Sequence, residues 1–165
     1  AEQRLPRTLA LLAEVSCGGL GDPRKAADAS HGRAPALAAC FSLTLSNLAA
    51  LHQRLDQREA ALMCLREAEA LCGLLPNADA AATHLSLCAL LSQMGRHAEA
   101  EPHAAEAVRL GEADIMDMPS LEEEGGAGGA AILREKASSL AVAYNNLAVQ
   151  REFLGQATEC LGLYE

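Results

Sequence analysis

Three stretches of this chain, residues 47–68, 86–107 and 146–165, follow one positional pattern, and this repetition restricts the fold more than any other feature of the sequence. Leu48, Leu87 and Leu147 are each followed by a small residue, Ala49, Cys88 and Ala148. Seven positions past each leucine stand Leu55, Met94 and Leu154, and next comes a turn residue, Asp56, Gly95 or Gly155. Five positions beyond the turn is another small residue, Ala61, Ala100 or Cys160, and the small slot returns seven later as Ala68 and Ala107. Between these slots one position holds Leu65, Ala104 or Tyr164.

The pattern describes a helix, a tight turn and a second antiparallel helix, with small residues where two backbones cross and large ones filling the gaps. Gly95 and Gly155 suit the left-handed conformation that ends a helix, and Asp56 tolerates it at some cost. A lone hairpin of this kind cannot bury its apolar face, whereas stacked hairpins can. Composition agrees. With 35 Ala and 28 Leu among 165 residues, no Trp, two Tyr and two Phe, the chain is rich in the best helix formers and poor in the side chains that build sheets. The fold class read from the sequence is therefore all-α.

These spacings resemble the tetratricopeptide repeat, in the long-period variant of kinesin light chains and nephrocystin-type proteins. The residues that carry the resemblance are Tyr144-Asn145-Asn146-Leu147-Ala148 with Gly155, Ser46-Asn47-Leu48-Ala49-Ala50-Leu51, and Met94-Gly95-Arg96-His97-Ala98-Glu99-Ala100-Glu101-Pro102. The resemblance implies a right-handed α-solenoid of antiparallel hairpins and covers roughly residues 35–165. Domain by domain, the sequence reads as a degenerate helical hairpin at 1–34, repeats at 35–76 and 77–111, an acidic glycine-rich insertion at 112–130, and a repeat truncated in its second helix at 131–165.

In the first segment, Leu5, Leu9, Leu12 and Val15 have helical spacing, and Asp22-Pro23 begins a short helix to about Ser30. Pro35 then starts the next helix in its first turn. The turn-to-turn distance rises from 39 residues (Asp56 to Gly95) to 60 (Gly95 to Gly155), and the insertion accounts for the difference. Its acids and its Gly125-to-Gly129 cluster predict a mobile loop, with Ile115, Met116, Met118 and Leu121 as a docking element if the loop has a role.

The formal net charge is −9 and no Lys/Arg cluster is present, which argues against nucleic acid and anionic lipid as partners. No apolar stretch reaches the roughly 18 residues of a membrane span, and the N-terminus has no secretory pattern. The sequence thus reads as soluble and cytoplasmic. Opening at Ala1 and stopping at Glu165 inside a helical pattern, it also reads as an excerpt of a longer protein.

Six cysteines (Cys17, Cys40, Cys64, Cys72, Cys88 and Cys160) and five histidines (His31, His52, His84, His97 and His103) invite a catalytic or metal reading. No two of the cysteines and no two of the histidines fall at the i, i+3 or i, i+4 offsets of a helical metal site, and Cys88 and Cys160 occupy small-residue slots. Phosphate-loop, dinucleotide and nucleophile-elbow motifs are missing. The expectation is no catalytic residue, no metal, no cofactor, no small-molecule substrate and no enzyme activity.

A binding surface remains. In tetratricopeptide proteins the first helices line a concave groove, and an Asn just before the repeat's leucine reaches the backbone of a bound peptide. That slot holds Asn47, Ser86 and Asn146 here. The helical step extends the face to Ala50, Gln53 and Arg54, to Ala89, Ser92 and Gln93, and to Asn145, Val149, Glu152 and Phe153. The peptide-groove candidates are Asn47, Gln53, Arg54, Ser86, Gln93, Asn145, Asn146 and Glu152. Repeat domains that clamp the acidic tails of chaperones present several Lys and Arg, and Arg54 is the one basic group on this face, so a mixed peptide or a helix suits it better. By resemblance, the expected role is a protein-interaction scaffold within a cytoskeletal, motor-adaptor or ciliary assembly. The alternative is a structural subunit of a large complex that stacks through its terminal or convex faces with no groove ligand.

Overall fold

The computed structural model describes residues 23–72, 80–118 and 127–156. Among them the chain is all-helical: α1 (Pro23–Arg54), α2 (Arg58–Cys72), α3 (Ala80–Gln93), α4 (His97–Met116) and α5 (Ala127–Phe153), with no strand. Two compact units, Ala1–Thr83 and His84–Glu165, divide the chain inside α3. In the first, α1 packs on α2, and in the second α4 packs on α5.

The three turn residues share one backbone geometry. Asp56, Gly95 and Gly155 have φ of 54°, 72° and 76°. Around each, the turn residue's N–H donates to the carbonyl three residues back (Gln53, Ser92, Glu152), and the next N–H donates to the carbonyl five back (His52, Leu91, Arg151), all at 2.9–3.0 Å. This is the Schellman motif, formed three times at corresponding positions. Glycine holds that conformation without a Cβ clash, while Asp56 holds it at a cost. Asp56 also pairs with Arg58 at 3.0 Å, but both side chains are well exposed and the pair contributes little. Asp56→Gly is therefore expected to raise stability by about 0.5 kcal/mol, after the greater unfolded-state freedom of glycine is subtracted. A thermal melt should show a midpoint one or two degrees higher, and a lower midpoint would mean that the Arg58 contact outweighs the backbone strain.

The small slots are closed. Ala61, Ala68, Ala100 and Ala107 are all buried, as are Leu65 and Ala104 between them. In the first unit Leu45 of α1 meets Ala68 and Leu71 of α2, with Phe41 and Cys64 at the margin. Ser42, also buried on α1, has a hydroxyl with no hydrogen-bond partner among the described residues.

Two boundaries differ from the sequence reading. A short helix to about Ser30 and a new one from Pro35 are replaced by one 32-residue helix that runs through Pro35. Proline inside a helix forfeits one backbone hydrogen bond, which the rest of so long a ladder can sustain. The 112–130 insertion is also narrower than expected. Helix α4 continues to Met116, and α5 begins at Ala127 with Gly128 and Gly129 inside it. The extension has tertiary support: the Tyr144 hydroxyl donates to the Glu112 carboxylate, and Lys136 Nζ lies 2.9 Å from Asp114. Ile115 and Met116 thus belong to the last turn of α4, with Met116 83% exposed and Met118 half-buried. Leu121, residues 1–22 and the truncated second helix of the last repeat lie outside the described residues. No helix among the described residues is long and apolar enough to cross a membrane.

Candidate functional site

All eight groove candidates lie on the helices that run into the three turns. Asn47, Gln53 and Arg54 are on α1 in the first unit. Ser86 and Gln93 are on α3, and Asn145, Asn146 and Glu152 on α5, in the second. Asn47, Arg54, Gln93, Asn145 and Glu152 are exposed, while Gln53, Ser86 and Asn146 are half-buried. An exposed carboxamide presents a donor and an acceptor on one planar group, which is what pairing with a peptide backbone requires.

Two residues placed on this face by helical spacing are engaged within the protein instead. The Ser92 hydroxyl accepts from Gln150 Nε2 at 3.2 Å. The ring of Phe153 stacks on His97, with centroids 4.1 Å apart and planes 7° from parallel, while keeping 66% of its surface exposed.

Gln150 organises this end of the second unit. It is buried, its Oε1 accepts from His97 Nδ1 at 2.9 Å, and its Nε2 reaches Ser92, so one amide ties together α3, α4 and α5. A carbonyl oxygen only accepts, so His97 carries its proton on Nδ1. The sequence reading missed Gln150; it occupies the slot held by Leu51 and Leu90 in the other copies, and an amide in an apolar slot is the signal that could have found it. Further along, Arg151 Nε lies 3.3 Å from Glu101, which continues the antiparallel seam between α4 and α5.

The spacing rule for histidines looked within single helices and missed a pair formed across two. His84 on α3 and His103 on α4 meet Nδ1 to Nδ1 at 3.1 Å, with ring centroids 5.4 Å apart. The centroid separation equals the nitrogen distance plus two ring radii of about 1.15 Å, so the nitrogens lie on the line between the rings. One imidazole donates N–H to the lone pair of the other, and this contact holds a single proton.

Two of the described thiols, Cys88 and Cys64, are governed by packing. Cys88 is buried and its pKa is pushed up to about 11 by desolvation. Burial, and then the charge of Glu67, raise that of Cys64. Thiols moved in this direction are largely protonated at neutral pH and are weak nucleophiles. The carboxylates on helix faces behave as surface pairs: Arg109 binds Glu106 through two nitrogens at 2.9 and 2.6 Å, which lowers the Glu106 pKa, and Arg96 binds Glu99 in the same way.

No protein-family model matches the chain, and no curated protein matches it significantly.

Proposed function

We propose that the chain is a non-enzymatic protein-interaction scaffold, a right-handed solenoid of tetratricopeptide type that binds a peptide or helix of a partner in the groove formed by its first helices. The observation that carries this reading is the threefold recurrence of one Schellman turn, each followed by small residues, buried wherever they are described, at the same offsets. Hairpins built to one register stack and present their first helices side by side. Exposed Asn47 and half-buried Asn146, each one position before the repeat's leucine (Leu48 and Leu147), are the groups that would hold a peptide backbone. A place in a cytoskeletal, motor-adaptor or ciliary assembly, in the cytoplasm, is the family analogy that accompanies the reading.

The test is a side-by-side affinity capture from cell extract with the wild-type chain and the Asn47→Ala, Asn146→Ala double variant, read by mass spectrometry. Helix content by circular dichroism should be unchanged, and partners should be depleted at least about tenfold with the variant, the effect of losing roughly 1.4 kcal/mol of hydrogen bonding. Partners retained equally by both proteins would sink the groove reading.

A second reading, a structural subunit that stacks on its neighbours through outer helix faces, draws on the exposed Leu48 and Leu51 of α1 and on Leu55 just past its end. Retention of partners by the double variant, with loss on Leu51→Ser, would favour it.

A further inference from the structure

His84 and His103 are 19 residues apart in sequence and meet across two helices, which places them beyond any spacing rule that runs along a single helix. The expectation of no metal rested on such a rule. His84 lies 11 residues before the Gly95 turn and His103 lies 8 after it, so the hairpin of α3 and α4 carries them side by side within the second unit. Close to the pair, Leu87 on α3 and Ala104 and Ala107 on α4 are buried, while both imidazoles are half-buried. Each ring thus keeps part of its surface in solvent on a helix that its buried neighbours anchor.

The two Nδ1 atoms are 3.1 Å apart. Two imidazole nitrogens bound to one zinc ion at about 2.05 Å stand about 2.9 Å apart at a right angle and about 3.3 Å apart at the tetrahedral angle, so this separation falls within the range for a shared ion. In the hydrogen-bonded pair the nitrogens face each other head-on, and each ring has to turn by about 40° to aim its lone pair at an ion beside the line between them. Half-buried rings have room for that turn. The ring that donated moves its proton from Nδ1 to Nε2, where the other ring already carries its own, so two neutral imidazoles take up the ion with no net proton release. The charge nearby is favourable. Glu106, one turn beyond His103, has its pKa lowered mainly by its hydrogen bonds to Arg109 and further by a charged His84 ring, so a cation at the pair lies within reach of its carboxylate field.

We propose that His84 and His103 bind one divalent transition-metal ion of the zinc class through their Nδ1 atoms, with water completing the shell, and that the ion staples α3 to α4. Imidazole nitrogen suits Zn2+, Cu2+ and Ni2+, whereas Mg2+ and Ca2+ prefer oxygen, so the pair selects by ligand chemistry. An ion that binds the folded hairpin and not the unfolded chain stabilises it by mass action. The site is independent of any ligand in the groove.

The test titrates ZnCl2 into the metal-free full chain, kept reduced at pH 7.5, by calorimetry, beside the His84→Gln, His103→Gln double variant and with MgCl2 as the control. The wild-type chain should take up a Zn2+ ion that the double variant binds at least about tenfold more weakly, and Mg2+ should give no response. Wild-type binding weaker than about 1 mM, an equal response to Mg2+, or equal Zn2+ affinity in the variant, which would assign the ion to the cysteines, overturns the proposal. A second reading needs no variant. Histidine side-chain nitrogen spectra of the wild-type chain should show, on adding Zn2+, the Nδ1 resonances of two histidines shifted as metal-bound with their protons on Nε2. Spectra unchanged by the metal, or coordination through Nε2, would equally sink it. Neither result depends on the capture by Asn47 and Asn146, so the groove proposal and this one fail separately.

Discussion

Leu65→Ala is expected to destabilise the protein by about 2–5 kcal/mol, the range for deleting a buried leucine side chain and leaving part of its cavity behind. Leu65 lies on α2 between Ala61 and Ala68, with 1% of its surface exposed. The flanking Ala61 and Ala68 are fully buried as well, and close helix packing at small residues limits how far such a space collapses around a smaller side chain. Urea denaturation should show a lower midpoint at nearly unchanged slope. A loss below about 1 kcal/mol would mean that Leu65 packs against side chains able to move in, and that the seam is looser than its burial suggests.

Ala100→Leu tests the opposite failure. Ala100 on α4 is fully buried, and a leucine there must force either its own rotamer or the neighbouring backbone, at about 1–3 kcal/mol. Ala98, two residues earlier on the same helix, is exposed. Alanine and leucine have nearly equal helix propensity, so Ala98→Leu should be close to neutral and separates overpacking from any effect on the helix itself. Thermal melts of the two variants decide the matter: equal midpoints would show that the small slot is not a close crossing, and the register of all three copies would have to be redrawn.

Much of the local architecture was legible in the residues. The three turns were found because a positive φ admits few side chains, and Gly95, Gly155 and, at some cost, Asp56 are among them. The small slots were found because close helix crossings exclude bulk, a restriction that recurs with the repeat and is visible as Ala61, Ala68, Ala100 and Ala107. The extent of α1 and α4 was not legible. Pro35 and the acids after Gly111 are locally unfavourable to a helix, and in α4 the balance is set by Tyr144 and Lys136 from another part of the chain. The candidate site divides in the same way. Asn47 and Asn146 follow from their place beside the repeat's leucine, but helical spacing could not tell that Ser92 and Phe153 on the same face are held by Gln150 and His97.

The sequence by itself determined that this chain is helical, where its hairpins turn and which positions must be small. Each of these is a backbone or steric requirement satisfied within a single hairpin and repeated along the chain. Only the tertiary structure decided that Gln150 is a buried clamp, that His84 and His103 share a hydrogen bond, and that leucines at equivalent positions are buried on α3 and α5 yet exposed on α1. Those outcomes join residues as far as 58 positions apart, or depend on whether another helix lies alongside. Such contacts are set by the packing of one element on another, and no periodicity within either element encodes them.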